Sequence, residues 1–440
     1  MDAPLEFPAA FRWGAATAAH QIEGDCRNNH WWAWEQEGGH IADGSVSGAA
    51  CDHWNRVIAD ADLVRSLGHN AHRLSIEWSR IEPTEGEIDH AALEHYRREL
   101  TVLRERGIAP SVTLHHFTNP LWMQRQGGWE NPRSPEWAAR YTERAVAALR
   151  GLVDVWWTIN EPMVVAVAGY VSGMHPPCVR DPNRAVVVAR HLLMAHARMA
   201  AAVRAADPGA PVGIVKHMPD FEPLDPDSAG DRGAAEAEDW FMNGCFLESL
   251  ARGTVLPPFG DGEVVAGLAG SSDVIGLNYY SRVRASSLLE PGGLGARPRP
   301  GEQPEITDMG WEVHPEGLRR SLVRLAAYGR PLYVTENGIA TTDDEARRRY
   351  LVRHLVAVHA AMSEGADVRG YFHWTLYDNF EWAEGYRPRF GLVAIDRATL
   401  QRRPRPSASL YREVISANAI TPEIAARYDR GPTATEPVSG

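Results

Sequence analysis

Short apolar runs alternate with longer amphipathic segments along the whole chain. Nearly continuous apolar runs are typical of strands buried on both faces, whereas a spacing of three to four residues indicates helices. The pattern predicts strands at residues 12–17, 71–76, 109–114, 153–159, 212–216, 274–277, 331–335 and 368–372. It predicts helices at residues 54–67, 91–106, 135–149, 184–206, 234–251, 316–327, 344–363 and 407–417.

Strands that alternate with helices form a parallel sheet, and eight such units close it into a barrel. The predicted fold class is therefore α/β, a single (β/α)8 TIM barrel with long βα loops. The longest Gly- and Pro-rich loops are 23–50, 219–233 and 281–310. We expect one barrel domain over residues 1–420, followed by a polar tail over residues 421–440 that has no periodic apolar face.

Two glutamates stand where apolar runs end. Glu161 lies in the string Thr-Ile-Asn-Glu-Pro and Glu336 in Val-Thr-Glu-Asn-Gly, so Asn160 and Asn337 flank them. The chain has 57 acidic residues, and most carboxylates are solvated surface groups. However, the carboxyl ends of barrel strands build active sites, and a carboxylate pair there indicates work on a glycosidic bond.

The other predicted strand ends carry amides, imidazoles and aromatic rings. This mixture suits a sugar, whose hydroxyls form hydrogen bonds and whose C–H faces pack on rings. A phosphate site would need a Gly-rich nest or a basic clamp, and we identify neither. His115 and His116 are adjacent on a strand and point to opposite faces, so we predict no metal site there. Lys216 and His217, after the fifth strand, are interpreted as structural.

Composition narrows the possible partners. The chain has 45 basic and 57 acidic residues, a net charge of −12 and no basic run, which argues against nucleic acid or an anionic membrane. The four cysteines are widely separated and show no disulfide or zinc pattern. We see no signal peptide and no 18-residue apolar window, so a cytoplasmic location is expected. The oligomeric state is left open.

Five motifs resemble those of the family 1 glycoside hydrolases, the β-glucosidase family. The resemblance covers residues 7–411 and is carried by residues 11–24, 73–80, 160–162, 335–338 and 378–382, which read FRWGAATAAHQIEG, RLSIEWSR, NEP, TENG and DNFEW. One departure follows His116: the chain reads Phe-Thr-Asn-Pro where many members have Trp-Asp-Leu-Pro. Phe117 has no indole N–H, so the sugar preference at that wall is left open.

The resemblance implies a role for each matching residue. Glu161 would be the general acid/base and Glu336 the nucleophile, with Trp374 preceding a nonproline cis peptide bond. Support of the nucleophile and transition state is expected from Arg73, Asn160, Asn278 and Tyr280. Sugar binding is expected from Gln21, His116, Asn160, Trp374, Glu381, Trp382 and Phe390. The leaving-group side is expected to be formed by Trp122, His175 and Trp311, together with Phe390.

The predicted function is a retaining, exo-acting β-glycosidase, first of all a β-glucosidase, which acts on a small β-glycoside or a short β-linked oligosaccharide. Glu161 should carry a proton and Glu336 should be ionised, because the two roles differ. No metal or organic cofactor is expected. Three alternatives are a 6-phospho-β-glycosidase, which Glu381 would disfavour, a transglycosidase, and a noncatalytic glycan-binding barrel. The choice among glucosides, galactosides and fucosides, and the leaving group, stay open.

Overall fold

Eight parallel strands form a closed barrel in the computed structural model, which describes residues 3–289 and 295–428. We number these barrel strands β1 to β8: Arg12–Ala16, Ala71–Ser75, Ala109–His115, Val155–Asn160, Val212–His217, Val274–Asn278, Leu332–Asn337 and Val368–Trp374. Neighbours follow chain order, and β8 closes on β1. The predicted (β/α)8 barrel is therefore confirmed, with every strand within a few residues of its expected bounds.

The barrel interior is filled by small and large side chains from alternate strand positions. Ala16, Trp157, Val215 and Phe372 belong to this inner cluster, whereas the neighbouring Trp156 packs outward against the helices. This alternation follows from the two-residue period of a strand. Glu161 and Glu336 lie at the carboxyl ends of the strands, the face of such barrels where active sites are built.

The helices form an outer ring, and short helices lie in the loops. Helical segments are Ala19–Ile22, His30–Gln36, His53–Ser66, Trp78–Ile81, His90–Glu105, Leu121–Arg125, Gly128–Glu130, Ser134–Leu149, Pro162–Tyr170, Pro182–Ala206, Ala229–Asp239, Trp240–Gly244, Cys245–Arg252, Pro315–Ala326, Asp344–Ser363, Trp382–Glu384, Pro406–Ala417 and Pro422–Tyr428. Small two-stranded sheets pair Leu5–Glu6 with Ala419–Ile420, Asp220–Pro223 with Arg282–Ala285, Thr254–Val255 with Glu263–Val264, and Val393–Ile395 with Arg402–Pro404.

The helix predicted at 234–251 is interrupted. Ala229–Asp239 and Cys245–Arg252 are α-helical, but Trp240–Gly244 between them is a π-helical turn. Such turns accommodate one extra residue and leave backbone carbonyls free for other donors. Here the carbonyl of Met242 accepts a hydrogen bond from the Lys216 ammonium at 2.8 Å.

Helix Pro182–Ala206 is the one helix among the described residues that is long and apolar enough to cross a membrane, with a mean hydropathy of 1.3 over its best window. The expectation that no such window exists was therefore wrong. More than half of that window is buried, and the helix packs against Ser134–Leu149. It is a core helix of the barrel's outer layer.

The predicted polar tail begins with a packed helix. In Pro422–Tyr428 the side chains of Ile424, Ala425 and Tyr428 are buried, so the packed structure continues beyond the expected boundary at residue 420. The sequence interpretation missed this face because the helix is short. The remaining residues of the predicted tail, 429–440, lie outside the described part, as do residues 290–294 of the predicted loop 281–310.

Candidate active site

A cavity of about 430 Å3 opens at the carboxyl ends of the barrel strands, and both Glu161 and Glu336 line it. Glu161 follows β4 and Glu336 lies in β7. Both side chains are almost completely buried, with 7% and 3% of their residue surface exposed. The two glutamates identified from the sequence therefore share one enclosed site.

The backbone at Glu161 turns sharply from strand to helix. Its φ is +48°, in the left-handed region that costs a residue other than glycine about 1 kcal/mol or more. Its amide donates to the carbonyl of Val215 in β5 at 2.9 Å, and Pro162 starts the next helix. The Glu161 side chain does not cap that helix but accepts a hydrogen bond from Asn278 Nδ2 at 2.7 Å. The turn thus aims the carboxyl group into the cavity.

Glu336 is held by a cation and a phenol. Arg73 Nη1 lies 2.5 Å from its Oε1, and the Tyr280 hydroxyl donates to its Oε2 at 2.6 Å. Arg73 is fully buried, so its charge is not screened by solvent. Burial, with the charge of Glu336 next, raises the pKa of Tyr280 well above its usual value, so the phenol remains a donor. Glu336 therefore accepts one hydrogen bond from a buried cation and one from a neutral phenol.

Amide side chains connect the two carboxyl groups. Asn160 Oδ1 accepts from Arg73 Nη2 at 2.7 Å and from Asn278 Nδ2 at 3.1 Å. Asn278 Oδ1 in turn accepts from the Thr335 hydroxyl at 2.7 Å. This network fixes Glu161 and Glu336 relative to each other before any ligand binds, which is what electrostatic preorganisation requires.

The Glu161 carboxyl group is protonated at neutral pH. Burial first, and then the charge of Glu336, raise the pKa of Glu161 to about 8, although Asn278 and Arg73 act in the opposite direction. The sequence interpretation expected a high pKa for Glu161, and the largest cause of the shift is burial rather than the charge of Glu336. The N-terminus of helix Pro162–Tyr170 would favour an anion, and burial outweighs it.

One wall of the cavity, which we call the polar side, is formed by His116, Trp374, Glu381 and Trp382, with Gln21 behind it next to Glu381. These residues come from the loops or ends of β8, β1 and β3. The His116 ring is nearly parallel to those of Trp374 and Trp382, each with centroids 6.1 Å away. The Trp374–Thr375 peptide bond is cis, as the resemblance implies.

Gln21 does not line the cavity in the described chain but lies beside Glu381, with Nε2 3.5 Å from the carboxyl Oε2. Its Nε2 also donates to the carbonyl of Phe380 at 2.9 Å, while its buried Oε1 has no hydrogen-bond partner among the described residues. Burial and then Glu336 raise the pKa of Glu381 to about 8. A buried, unpaired acceptor next to a protonated acid is suited to hydroxyl ligands.

Three of the four side chains expected near the leaving group line the cavity: His175, Trp311 and Phe390. Trp122 does not line it in the described chain, and its assignment was wrong. Its indole N–H donates to the carbonyl of Glu82 at 2.9 Å, and its ring packs edge-on against Trp78 and Trp137. Helix Leu121–Arg125 thus turns this tryptophan into the outer core.

The sequence interpretation missed His217. It lines the cavity at the end of β5, and neither ring nitrogen has a hydrogen-bond partner in the described part of the chain. Burial lowers its pKa to about 3, so the ring is neutral. The signal was available, because Val215 faces the barrel interior and residues two apart on a strand share a face. Lys216 points outward, as a structural residue would.

A second wall, which we call the apolar side, was also missed, apart from Trp311. It is formed by Val164, Val167, Ala168, Phe221, Met242, Val283, Met309 and Trp311. These residues lie on the segments after β4, β5 and β6, which are neighbours on the other part of the barrel rim. The cavity therefore has one hydrogen-bonding wall and one hydrocarbon wall.

Among the described residues, Asp220, Glu222 and His314 come close enough to hold a cation. The guanidinium of Arg320 already occupies this cluster, since it contacts Asp220 and lies 2.6 Å from Glu222 and 3.0 Å from His314. This positive group is the partner that the carboxylates need.

Comparison with known proteins agrees with this geometry. The model of the family described as glycosyl hydrolase family 1 matches residues 4–420. The chain belongs to this family. Its family 1 relatives include a beta-galactosidase of Pyrococcus woesei, 34% identical over 97% of this chain and 100% of the relative. Beta-glucosidase A of Thermotoga maritima is also 34% identical, over 94% and 99% of the two chains.

A solved family 1 structure is similar over its whole length. The beta-glycosidase from Pyrococcus horikoshii superimposes with a TM-score of 0.88 at 41% identity, covering 97% of this chain and 99% of that one. The resemblance identified from the motifs is thus confirmed, and the protein is a glycoside hydrolase that acts on O-glycosyl bonds. Family membership does not by itself assign roles to individual side chains.

Proposed function

We propose that the protein is a retaining, exo-acting β-glycosidase, first of all a β-glucosidase, in which Glu161 is the acid/base and Glu336 the nucleophile. The observation that carries this proposal is the difference between the environments of two buried carboxyl groups. Glu161 is protonated beside an amide, whereas Glu336 is paired with Arg73 and Tyr280. Two carboxyl groups in such different environments are the arrangement that separates an acid from a nucleophile.

The reaction then proceeds in two displacements. Glu336 attacks the anomeric carbon as Glu161 gives its proton to the departing glycosidic oxygen, which leaves as an alcohol. A glycosyl ester on Glu336 results. Glu161, now ionised, takes a proton from water, whose oxygen attacks the same carbon and releases the sugar and the Glu336 carboxylate. Inversion at each step gives net retention.

The polar side is proposed to hold the nonreducing sugar. Its ring would pack on Trp374, while Glu381, Gln21 and His116 would hydrogen-bond its hydroxyls. A 6-phosphate would instead meet Glu381. Lys216, the only lysine, is buried and points away from the cavity, and Arg387 on the same loop is already paired with Glu384 at 2.6 Å. We therefore propose unphosphorylated substrates.

Product stereochemistry tests the mechanism. NMR during hydrolysis of 4-nitrophenyl β-glucoside should show the β anomer first, and the carboxyl groups of Glu161 and Glu336 should lie about 5 to 5.5 Å apart in a crystal structure. An α anomer formed first, with a separation near 9 Å, would contradict retention. Inactivity towards a panel of aryl β-glucosides, galactosides and fucosides would favour the noncatalytic alternative.

The proposed preference for unphosphorylated substrates is tested separately. We expect kcat/KM for 4-nitrophenyl β-glucoside to exceed that for its 6-phosphate by about tenfold or more at equal ionic strength, because the cavity-lining residues of the described chain include no lysine or arginine that could pair with a phosphate. Equal values would contradict our interpretation of the Glu381 loop. A cytoplasmic location is also proposed, since Cys26, Cys51, Cys178 and Cys245 are all free thiols.

A further inference from the structure

The apolar side begins immediately after the acid/base residue. Helix Pro162–Tyr170 follows Glu161 directly and places Val164, Val167 and Ala168 on the cavity. Its sequence is PMVVAVAGY, so the first side chain that can donate a hydrogen bond is Tyr170, which is buried. The wall next to the departing oxygen is therefore hydrocarbon.

Two further segments continue this surface. Phe221 and Val283 lie opposite each other in the small parallel sheet formed after β5 and β6, and both line the cavity. Met242 reaches it from the π-helical turn Trp240–Gly244, whose backbone is fixed by the ammonium of Lys216. Valine, phenylalanine and methionine side chains from three separate elements thus form one continuous apolar surface. Such a surface is more informative than a single exposed apolar side chain.

Polar groups on this part of the cavity are few and partly occupied. Beyond the polar side and the network around the two glutamates, the cavity-lining side chains of the described chain that carry a polar atom are Ser172, His175, His217, Trp311 and Glu384. The Ser172 hydroxyl already faces backbone carbonyls of the preceding helix, and Glu384 is paired with Arg387. A second sugar ring would bring several hydroxyls against carbons, and each unpaired buried hydroxyl reduces binding.

We propose that the apolar side selects glycosides of an apolar alcohol, with an alkyl or aryl leaving group, over glycosides of a second sugar. Val164, Val167, Phe221, Met242 and Val283 are the residues that determine this preference. The inference rests on the proposed β-glycosidase function and names the substrate class within it. His217, which is neutral and has no hydrogen-bond partner among the described residues, is available for one polar atom on an otherwise apolar leaving group.

The test compares leaving groups on one glycosyl unit. Butyl, pentyl and hexyl β-glucosides, each below its micelle concentration, differ in apolar area but hardly in the acidity of the alcohol. We expect kcat/KM to rise about three- to fourfold for each methylene that enters the cavity, which corresponds to about 0.8 kcal/mol per buried CH2. Cellobiose, whose leaving hydroxyl is the more acidic, should still have a kcat/KM at least tenfold below that of hexyl β-glucoside.

A substitution at Val167 tests whether this preference arises from the apolar side. Val167→Thr replaces a methyl with a hydroxyl of nearly the same volume, and it should lower the ratio of hexyl glucoside to cellobiose kcat/KM by about three- to tenfold. The control is Val187→Thr on helix Pro182–Ala206, where the valine is also helical but 42% exposed and does not line the cavity. This control substitution has the same cost in helix propensity and should leave the ratio of hexyl glucoside to cellobiose kcat/KM unchanged.

The outcomes separate the two proposals. This inference is overturned if kcat/KM does not depend on the alkyl chain length, or if kcat/KM for cellobiose equals or exceeds that for hexyl glucoside. If the protein still hydrolyses 4-nitrophenyl β-glucoside in that case, the proposed β-glycosidase function stands. No hydrolysis of any aryl β-glycoside overturns the proposed function instead. The chain-length series uses the unmodified protein, so it decides the question even where Val167→Thr does not fold.

Discussion

The two walls of the cavity differ in how they would recognise a ligand. The polar side presents Glu381, His116 and two indole rings, and next to it lies the buried Oε1 of Gln21, which has no hydrogen-bond partner among the described residues. The apolar side presents valine, phenylalanine and methionine, whose contacts depend on area rather than direction. Hydrogen-bonding sites reject wrong ligands by factors of about 10⁴ or more, but a hydrophobic pocket gains only about 10- to 200-fold per group. One molecule therefore combines a strict site with a permissive one, separated by Glu161 and Glu336.

The largest effect is expected from removing Glu161 or Glu336, the two carboxyl groups between the polar side and the apolar side. Glu336→Ala should lower kcat on the order of 10⁵-fold or more for every substrate. Glu161→Ala should spare 2,4-dinitrophenyl β-glucoside, whose departing phenolate needs little protonation, and should lower hydrolysis of alkyl glucosides by about 10²- to 10⁴-fold.

Azide distinguishes these two variants. It should give an α-glycosyl azide with Glu336→Ala and a β-glycosyl azide with Glu161→Ala, because azide enters from the face that the missing carboxylate occupied. The opposite stereochemistry in the products would exchange the two roles.

The next effect is a pH dependence that involves both sides. The pKa of about 8 for Glu161 means that the acid form is lost above this pH, so kcat/KM for hexyl β-glucoside should fall roughly tenfold per pH unit beyond it. The same limb should be much weaker for 2,4-dinitrophenyl β-glucoside. The pKa of Glu381 is also raised to about 8, so Glu381→Gln is the control. If the fall in kcat/KM above pH 8 disappears in Glu381→Gln, it is caused by deprotonation of Glu381 on the polar side and not of Glu161.

A smaller effect concerns the polar side alone. At pH 6 the Glu381 carboxyl group is protonated, so Glu381→Gln exchanges neutral hydrogen bonds, each worth about 0.5 to 1.5 kcal/mol, or roughly 2- to 12-fold in kcat/KM. Because Glu381 would touch only the glycosyl unit, the loss should be the same for hexyl and 4-nitrophenyl β-glucosides. Unequal losses would show that the two walls are not independent.

The smallest effect on activity is expected from Trp122→Phe. The indole N–H of Trp122 donates to the carbonyl of Glu82, so its loss should lower the free energy of unfolding by about 1 kcal/mol. The ratio of hexyl glucoside to cellobiose kcat/KM should not change. Thermal unfolding and the two rate constants measure this, and a changed ratio would return Trp122 to the leaving-group side.

The same contrast explains how far the sequence could be interpreted. Glu161, Glu336 and Asn278 could be predicted because few residue types perform their chemistry, and each stands at or near the end of an apolar run. Arg73 lies in the middle of β2 and was identified from the motif that contains it. Val164 and Val167 could not, since a valine that lines a cavity and a valine in a core have the same sequence pattern. Met242 depends on a π-helical turn, and Phe221 meets Val283 only through a pairing between distant loops. Trp122 was misassigned because an aromatic ring near a strand end suits both sugar and core.

The burial of Lys216 makes this chain chemically unusual towards reagents that acylate amines. No other lysine occurs in the sequence, and this one is fully enclosed between β5 and the turn that carries Met242. An acylating reagent can reach its ammonium only when that layer separates. The rate at which this one side chain is acylated therefore reports how often the barrel opens beside its own cavity, without any engineered label.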